Sequence, residues 1–167
     1  MKSVIFLDID GVLNSKLWEK KHSDEIKDKK LIDIEAVKIL SRIVESTGAI
    51  IVLHSGWRFW FDESMNPINR EAQYFVDVLK EEGIQLNGVT PDLTTEEIRR
   101  TKKFSSVKAD EILLWLKNNP NYKSWLVLDD LDLNNTEVRK HQVKTNSDVG
   151  ITEMDIEKAK IILNIDK

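Results

Sequence analysis

The chain has 167 residues, of which 41% are hydrophobic and 32% charged, and its formal net charge is −4. A chain of this length can bury a substantial core, so we predict one domain over residues 1–167. The lack of cysteine excludes disulfides and thiolate chemistry, so any metal must have oxygen or imidazole ligands. No apolar run approaches the roughly 18 residues of a membrane span, and no signal peptide precedes the first strand, so we expect a cytoplasmic protein without membrane contact.

The first predicted strand, residues 4–7, is an apolar run that leads into Asp8, Asp10 and a turn at Gly11. Its β-branched and aromatic residues are typical of a buried strand in a parallel sheet. Ligands bind in the crevice beyond the carboxyl ends of such strands. Two neighbouring carboxylates repel each other there, which favours a bound cation, a shared proton, or both. Taken alone, an aspartate before a glycine is also ordinary turn chemistry.

The following segments alternate between helix and strand patterns. Helices are predicted over residues 34–46 with Asp33 as N-cap, over 69–82, from Ser105 or Ser106 to Asn118, and after a capping box from Thr152 to Asp155. Further strands are predicted over residues 49–53, 84–86 and 124–128. This alternation predicts an α/β protein, a Rossmann-like three-layer α/β/α sandwich with a central parallel sheet and no large cap domain.

Polar side chains follow the later strands or lie near a helix start. Ser55 follows the second strand, and Asp129 and Asp130 follow the strand 124–128. Lys108 lies in the first turn of the third predicted helix, where the helix dipole opposes its positive charge, which favours a functional role that offsets this cost. Each has a plain interpretation: a hydroxyl bonded to backbone, a surface lysine, and a helix cap or solvated loop. Together they predict one crevice, in which the carboxylates hold Mg²⁺ while Ser55 and Lys108 bind a phosphoryl group.

The order of these motifs resembles that of haloacid-dehalogenase-type (HAD) phosphohydrolases. Residues 8–13, Asp-Ile-Asp-Gly-Val-Leu, match the first motif of that family, and Ser55, Lys108 and the Asp129-Asp130 pair match the later ones. A closer resemblance is to the small HAD domains of multi-enzyme RNA-repair proteins. It rests on the segments 10–14, 55–58, 108–116, 128–130 and 150–152.

The resemblance implies roles for the four aspartates. Asp8 would be the nucleophile that forms an aspartyl-phosphate, and Asp10 would protonate the leaving group and then activate water. Mg²⁺ would bind to Asp8, to the main-chain carbonyl of Asp10 and to Asp129, with Asp130 as a direct or indirect ligand. The three histidines lack the ligand spacing of a zinc site, which agrees with a hard cation.

Substrate binding is assigned to Ser55, Gly56, Arg58 and Lys108. Residues 57–61, Trp-Arg-Phe-Trp-Phe, either stack on a nucleobase or pack beneath the loop. The basic residues between 99 and 103 either extend phosphate binding along a polynucleotide or form a solvated face. Residues 14–33 form either a flap over the site or a solvated helix and loop.

Three functions fit these features. The leading one is a Mg²⁺-dependent phosphatase that acts on a nucleotide or a nucleic-acid end. The second is a phosphatase for small metabolites, and the third is a catalytically silent module that binds a phosphate or a protein. Asp8 and Asp10 together disfavour the third, because binding needs neither a nucleophile nor a proton carrier. The expected partner is a phosphorylated small molecule or a nucleic-acid terminus, and no obligate protein partner is inferred.

Overall fold

Five strands form one parallel sheet in the computed structural model, which describes residues 2–163. The strands are β1 (Lys2–Leu7), β2 (Ile50–Leu53), β3 (Leu86–Val89), β4 (Tyr122–Asp129) and β5 (Gln142–Lys144). They lie in the order β3-β2-β1-β4-β5, and all neighbouring pairs are parallel. The chain therefore builds outward from β1 in one direction and then in the other, so the strand order reverses between β1 and β4.

Helices cover both faces of this sheet. They are α1 (Lys16–Lys21), α2 (Ser23–Lys27), α3 (Ile34–Thr47), α4 (Arg70–Glu81), α5 (Glu96–Thr101), α6 (Phe104–Asn118), α7 (Thr136–Lys140) and α8 (Glu153–Leu163), with a 3₁₀ helix at Gly56–Trp60. Alternate residues of β1 point to opposite faces. Ile5 and Leu7 belong to the core under α3, α4 and α8, whereas Val4 and Phe6 belong to the core under α6 and α7. The predicted three-layer α/β/α sandwich is confirmed.

Local signals fix most of the helix ends. The Asp33 carboxylate accepts a hydrogen bond from the Glu35 N–H and so caps α3, which ends at Gly48 in a left-handed conformation. At the start of α8, the Asp155 carboxylate accepts a hydrogen bond of 2.9 Å from the Thr152 N–H. This contact is the acidic half of the predicted capping box.

The structure corrects two predicted boundaries. Strand β3 begins at Leu86 and not at residue 84, because the Ile84 N–H closes the end of α4 on the Leu79 carbonyl. Helix α6 begins at Phe104, and neither predicted serine caps it. The Ser105 hydroxyl donates instead to the Asp132 carbonyl.

Because α6 begins earlier than predicted, Lys108 lies in its second turn and not in its first. The argument from an unfavourable helix dipole is therefore wrong, since that effect falls off beyond the first turn. The position of Lys108 has to be explained by its neighbours in the site.

Two short helices, α1 and α2, occupy most of residues 14–33, and neither contains a buried residue. The role of this segment as a flap stays a prediction. No large cap domain interrupts the sheet within residues 2–163. In that same range, no helix combines the length and the apolar composition required to cross a bilayer.

Candidate active site

The predicted acidic residues meet where the strand order reverses. Asp8 directly follows β1, and Asp129 is the last residue of β4. The two strands are in register, with Leu7 beside Leu128, and the Asp8 N–H donates a hydrogen bond of 2.9 Å to the Leu128 carbonyl. In open α/β sheets the crevice for ligands lies at this reversal point, beyond the carboxyl ends of the strands. The backbone alone therefore places both carboxylates in that crevice.

Three carboxylates and one lysine form the centre of the site. Asp8, Asp129 and Asp130 each offer an oxygen atom, and these atoms all lie within 4.8 Å of one another. The Lys108 Nζ lies 3.5 Å from Asp8 Oδ1 and also contacts Asp129 Oδ2. One ammonium faces three carboxylates, so the ionised cluster carries an excess of negative charge. A bound divalent cation would neutralise that excess.

Burial and mutual repulsion shift the ionisation of this cluster. Burial raises the pKa of Asp8 to about 8, with a further upward contribution from Asp129 and a downward one from Lys108. Burial and the charge of Asp129 likewise raise the pKa of Asp130. Burial opposes the charged form of Lys108, but Asp8 and Asp129 raise the pKa of its ammonium above the usual value. Without a cation the site therefore retains a proton near neutral pH.

Two further features fit Mg²⁺, which prefers carboxylate and carbonyl oxygens. Asp129 Oδ2 is fully buried and accepts no hydrogen bond of good geometry from the described residues. Its contact there is the ion pair with the Lys108 ammonium, so the oxygen keeps a lone pair that a cation could use. Gly11 lies directly beside Asp130, where an added Cβ would come within 2.5 Å of the Asp130 Cγ. Because Gly11 has no side chain, the Asp130 carboxylate can lie against the backbone at this point, and any other residue at position 11 would displace it.

Asp10 lies at the exposed rim of the crevice and is held on both of its oxygens. Its Oδ1 accepts a hydrogen bond of 2.9 Å from the Asn14 amide, and its Oδ2 accepts one of 3.2 Å from the Trp57 indole N–H. Asn14 in turn accepts a hydrogen bond of 3.0 Å from the Gly11 N–H. These contacts fix the Asp10 carboxylate beside the cluster without burying it.

The sequence did not reveal the roles of Asn14 and Trp57. Asn14 belongs to the segment that carries the family resemblance, which was the only available signal. Trp57 is 4% exposed, so it packs beneath the loop, as one of its two interpretations predicts. Its buried indole cannot stack on a substrate base.

Ser55 and Gly56 lie in the loop after β2. The Ser55 hydroxyl accepts a hydrogen bond of 3.1 Å from the Trp57 N–H and caps the 3₁₀ helix. This is the plain structural interpretation of Ser55, but the O–H group remains able to donate to a phosphoryl oxygen. Gly56 lines the same cavity as Lys108. The assignment of both residues to phosphate binding stays a prediction.

Arg58 forms a buried ion pair that the sequence did not indicate. Its Nη2 donates to Glu111 Oε1 at 3.1 Å, and its Nη1 donates to the Ser55 carbonyl at 3.1 Å. Glu111 Oε1 also accepts from the Leu93 N–H at 3.0 Å. Arg58 lines the cavity, its Nη1 and Nη2 groups are both engaged by the protein, and Asp92 Oδ1 also lies 3.7 Å from Nη2. It therefore ties the Ser55 loop to α6, and any contact with substrate stays a prediction.

Replacing Glu111 by Gln should destabilise the fold by about 1.5–3 kcal/mol, because it removes the nearer of the two carboxylates beside the buried Arg58 guanidinium and leaves Asp92, at 3.7 Å. The side chains of Arg58 and Glu111 are 7% and 1% exposed, so water does not replace the lost partner. Chemical denaturation would measure the loss. The matched control is Glu137→Gln in the exposed pair with Lys140, which should change stability far less, because water solvates both partners. Equal effects of the two substitutions would contradict the role of the buried pair.

If the acidic cluster binds Mg²⁺, Gly11→Ala should weaken that binding, because the new Cβ must displace the Asp130 carboxylate. The control is Gly48→Ala, since both glycines have positive φ, 80° and 63°, but nothing lies within 4 Å of the Cβ position at Gly48. Both variants should lose roughly 1 kcal/mol of stability from backbone strain. Calorimetric titration with Mg²⁺ should then separate them. Equal Mg²⁺ affinities would show that Asp130 moves without consequence.

A cavity of about 410 Å³ opens beside the acidic cluster. Its walls come from the 3₁₀ helix, from α5 and the segment before it, from the N-terminal half of α6, and from the end of β4 with the loop that follows. It is lined by Gly56, Arg58, Phe59, Thr94, Arg99, Phe104, Val107, Lys108, Glu111, Asp129, Asp130 and Leu131. Five of the eight predicted site residues therefore line this cavity, whereas Asp8, Asp10 and Ser55 are not part of its lining.

His54 lies beneath this cavity, fully buried at the end of β2. Its Nδ1 is 2.9 Å from the Thr90 hydroxyl. Burial, and then the charges of Lys108 and Arg58, hold the pKa of His54 well below its usual value. His54 is thus a neutral hydrogen-bonding residue at the strand end, as predicted.

A family model described as the HAD domain in Swiss Army Knife RNA repair proteins matches residues 4–156. Neither a curated protein nor a solved structure matches the chain significantly. The matched range contains nearly all of the sheet and each candidate residue from Asp8 to Asp130. The chain therefore belongs to the family of HAD domains found in Swiss Army Knife RNA repair proteins, a membership that indicates phosphohydrolase activity.

Proposed function

We propose that this domain is a Mg²⁺-dependent phosphatase that removes a phosphate monoester through a covalent intermediate on Asp8. The observation that carries the proposal is the cluster of Asp8, Asp129 and Asp130 around Lys108 at the reversal point of the sheet. A site for binding alone would not need an acid group such as Asp10 fixed at the rim. The catalytically silent module is therefore disfavoured.

In the first step, an oxygen of the Asp8 carboxylate attacks the phosphorus atom, and the bond to the leaving-group oxygen breaks. Lys108 lies close enough to Asp8 to stabilise the negative charge of the incoming phosphoryl group. The Ser55 hydroxyl donates to a second phosphoryl oxygen. Asp8, Asp129, Asp130 and the Asp10 carbonyl would hold Mg²⁺, which supplies further positive charge for the phosphoryl oxygens.

Asp10 transfers the proton in both steps. In its protonated form it donates the proton to the leaving oxygen, and it then accepts a proton from the water that attacks the aspartyl-phosphate. Phosphate is released, and Asp8 and Asp10 return to their starting states. The hydrogen bonds from Asn14 and Trp57 hold the carboxylate in place for both transfers.

A nucleotide or a nucleic-acid end is the proposed substrate. Two observations support it: the family takes its description from RNA repair proteins, and no large cap covers the crevice in the described part of the chain. A phosphatase for small metabolites is the alternative. The two proposals share the same chemistry and differ only in the leaving group.

Phosphate release from a panel of substrates tests the proposal. The panel contains an aryl phosphate, sugar phosphates, mononucleotides and oligonucleotides phosphorylated at the 3′ or 5′ end, each with Mg²⁺ and with a chelator. We expect chelator-sensitive release, fastest from a nucleotide or an oligonucleotide. Release that is unaffected by the chelator would contradict Mg²⁺ dependence. Equal slow rates on all substrates would contradict the proposal that the substrate is a nucleotide or a nucleic-acid end, because the enzyme would then prefer no particular leaving group.

Charge reversal in the basic run should weaken the use of oligonucleotides more than that of mononucleotides. Arg100, Lys102 and Lys103 are exposed, whereas Arg99 is paired with Asp92 at 3.0 Å and is left in place. If Arg100, Lys102 and Lys103 contact phosphates, their replacement by Glu should reduce the salt slope of oligonucleotide binding by about 2. An unchanged slope would show that these residues form a solvated face.

A further inference from the structure

Part of the lining of the active-site cavity is apolar. Phe59, Phe104, Val107 and Leu131, called the apolar wall below, line the same cavity as the charged groups Lys108, Asp129 and Asp130. Phe59 is 52% exposed and Leu131 is 38% exposed. Large apolar side chains that stay exposed beside a polar site mark a surface for an apolar ligand group. The phosphate chemistry described above does not use this wall.

The aromatic residues after Ser55 differ in how far they are buried. Trp57 and Phe61 are buried, and Trp60 packs against the core. Within residues 57–61, Phe59 is the aromatic side chain that is both exposed and in contact with the cavity. Its ring centroid lies 4.6 Å from the central guanidinium carbon of Arg58, and Arg58 is fixed by Glu111. The Phe59 ring is therefore held in position by a buried ion pair.

We propose that this wall binds the nucleobase of the nucleotide that carries the scissile phosphate. The inference rests on the proposed function, since the phosphate has to lie within reach of both Asp8 and Lys108. A planar base has two apolar faces and stacks on an aromatic ring regardless of its sequence identity. A sugar phosphate without a base would leave the apolar wall in contact with water.

The dimensions and the rim of the cavity fit one nucleoside. A volume of about 410 Å³ lies within the range of roughly 300–1,000 Å³ for pockets that hold one small ligand. It cannot hold a stretch of polynucleotide. Thr94 and Arg99 at the rim supply polar groups, and Arg99 is held by Asp92. The terminal nucleotide would therefore enter the cavity while the rest of a strand stays outside.

The test compares pairs of ligands that differ only in the base. Each pair consists of a nucleoside monophosphate and the matching ribose phosphate. The ratio of their kcat/KM values is measured in the presence of Mg²⁺, and the ratio of their Kd values is measured by calorimetry in the absence of Mg²⁺. We expect the wild type to favour the nucleotide in both ratios. Phe59→Ala should reduce this preference on the order of 10-fold.

Two variants separate stacking from other effects. Phe59→Tyr keeps the aromatic face and should keep the preference, whereas Phe59→Leu keeps apolar surface only and should lose most of it. Ile161→Ala, an exposed apolar residue on α8 outside the cavity, is the control for removing surface and should match the wild type.

Equal ratios in the wild type and in Phe59→Ala would overturn the base site. A preference that survives in Phe59→Leu would also overturn it, because it would indicate a site for any apolar group. If no substrate released phosphate, the proposed function would fail. The calorimetric ratios would still decide whether the cavity binds a base.

Discussion

Asp8→Asn should lower kcat for phosphate release by at least about 10³-fold, because an amide cannot act as the attacking carboxylate. The same substitution should not unfold the protein. Asp8 is buried among acidic neighbours, and the amide resembles the protonated form that its raised pKa already favours. Steady-state release from an aryl phosphate and thermal unfolding would be measured on the same preparation.

The pH dependence of stability gives this variant a second readout. Burial raises the pKa of Asp8 from 3.8 to about 8 in the folded protein, so the folded state binds more protons than the unfolded state between these values. Stability contributed by this group therefore falls as pH rises from about 4 to about 8. Asp8→Asn should lose less stability over that range than the wild type.

The matched control is Asp24→Asn on α2, where the carboxylate is almost fully exposed. It should change neither activity nor the pH dependence of unfolding. If Asp8→Asn retained wild-type turnover, the covalent route would be wrong. If Asp8→Asn lost activity only because the protein unfolds, its free energy of unfolding would be lower than that of the wild type at every pH.

Lys108→Met should affect both stability and activity. Lys108 is the ammonium that contacts Asp8 and Asp129 within the described structure, and all three side chains are largely buried. Its loss leaves two buried carboxylates without a counter-charge, which should cost about 3–5 kcal/mol of stability. Because the carboxylates can protonate at low pH, the loss should be larger at pH 8 than at pH 6.

Mg²⁺ should restore part of the stability of Lys108→Met, since the cation takes over the neutralisation of the cluster. It should not restore turnover, because the phosphoryl group still lacks the lysine. Lys140→Met removes an exposed lysine paired with Glu137 and should change stability by less than about 1 kcal/mol. A Lys108→Met protein as stable as this control would contradict the electrostatic account of the site.

The acidic centre of the site could be predicted from the sequence because of a simple geometric rule. Parallel strands end at one edge, so residues at the end of β1 or β4, or directly after it, must meet there whatever the packing of the helices. Asp8, Asp129 and Asp130 are all of this kind. Lys108 was proposed from its predicted place in the first turn of a helix and from the family resemblance. The structure places it in the second turn of α6, so the argument from position was wrong and the resemblance remains.

The supporting contacts could not be predicted in the same way. Glu111 pairs with Arg58 across 53 positions in the chain, and helical spacing identifies a buried face of α6 without naming its partner. Trp57 was expected to pack or to stack, but its hydrogen bond to Asp10 depends on how the 3₁₀ helix meets the loop after β1. Such contacts follow from tertiary packing and not from local patterns.

Direct detection of the phosphorylated aspartate would test the covalent mechanism most directly. An Asp10→Asn variant should still react once with an activated aryl phosphate, whose leaving group needs little protonation, but should hydrolyse the intermediate slowly. After an acid quench with Mg²⁺ present, peptide mass spectrometry should find one phosphoryl group on Asp8. A burst of released aryl alcohol with no phosphoryl group on Asp8, or with the group on another residue, would contradict the mechanism.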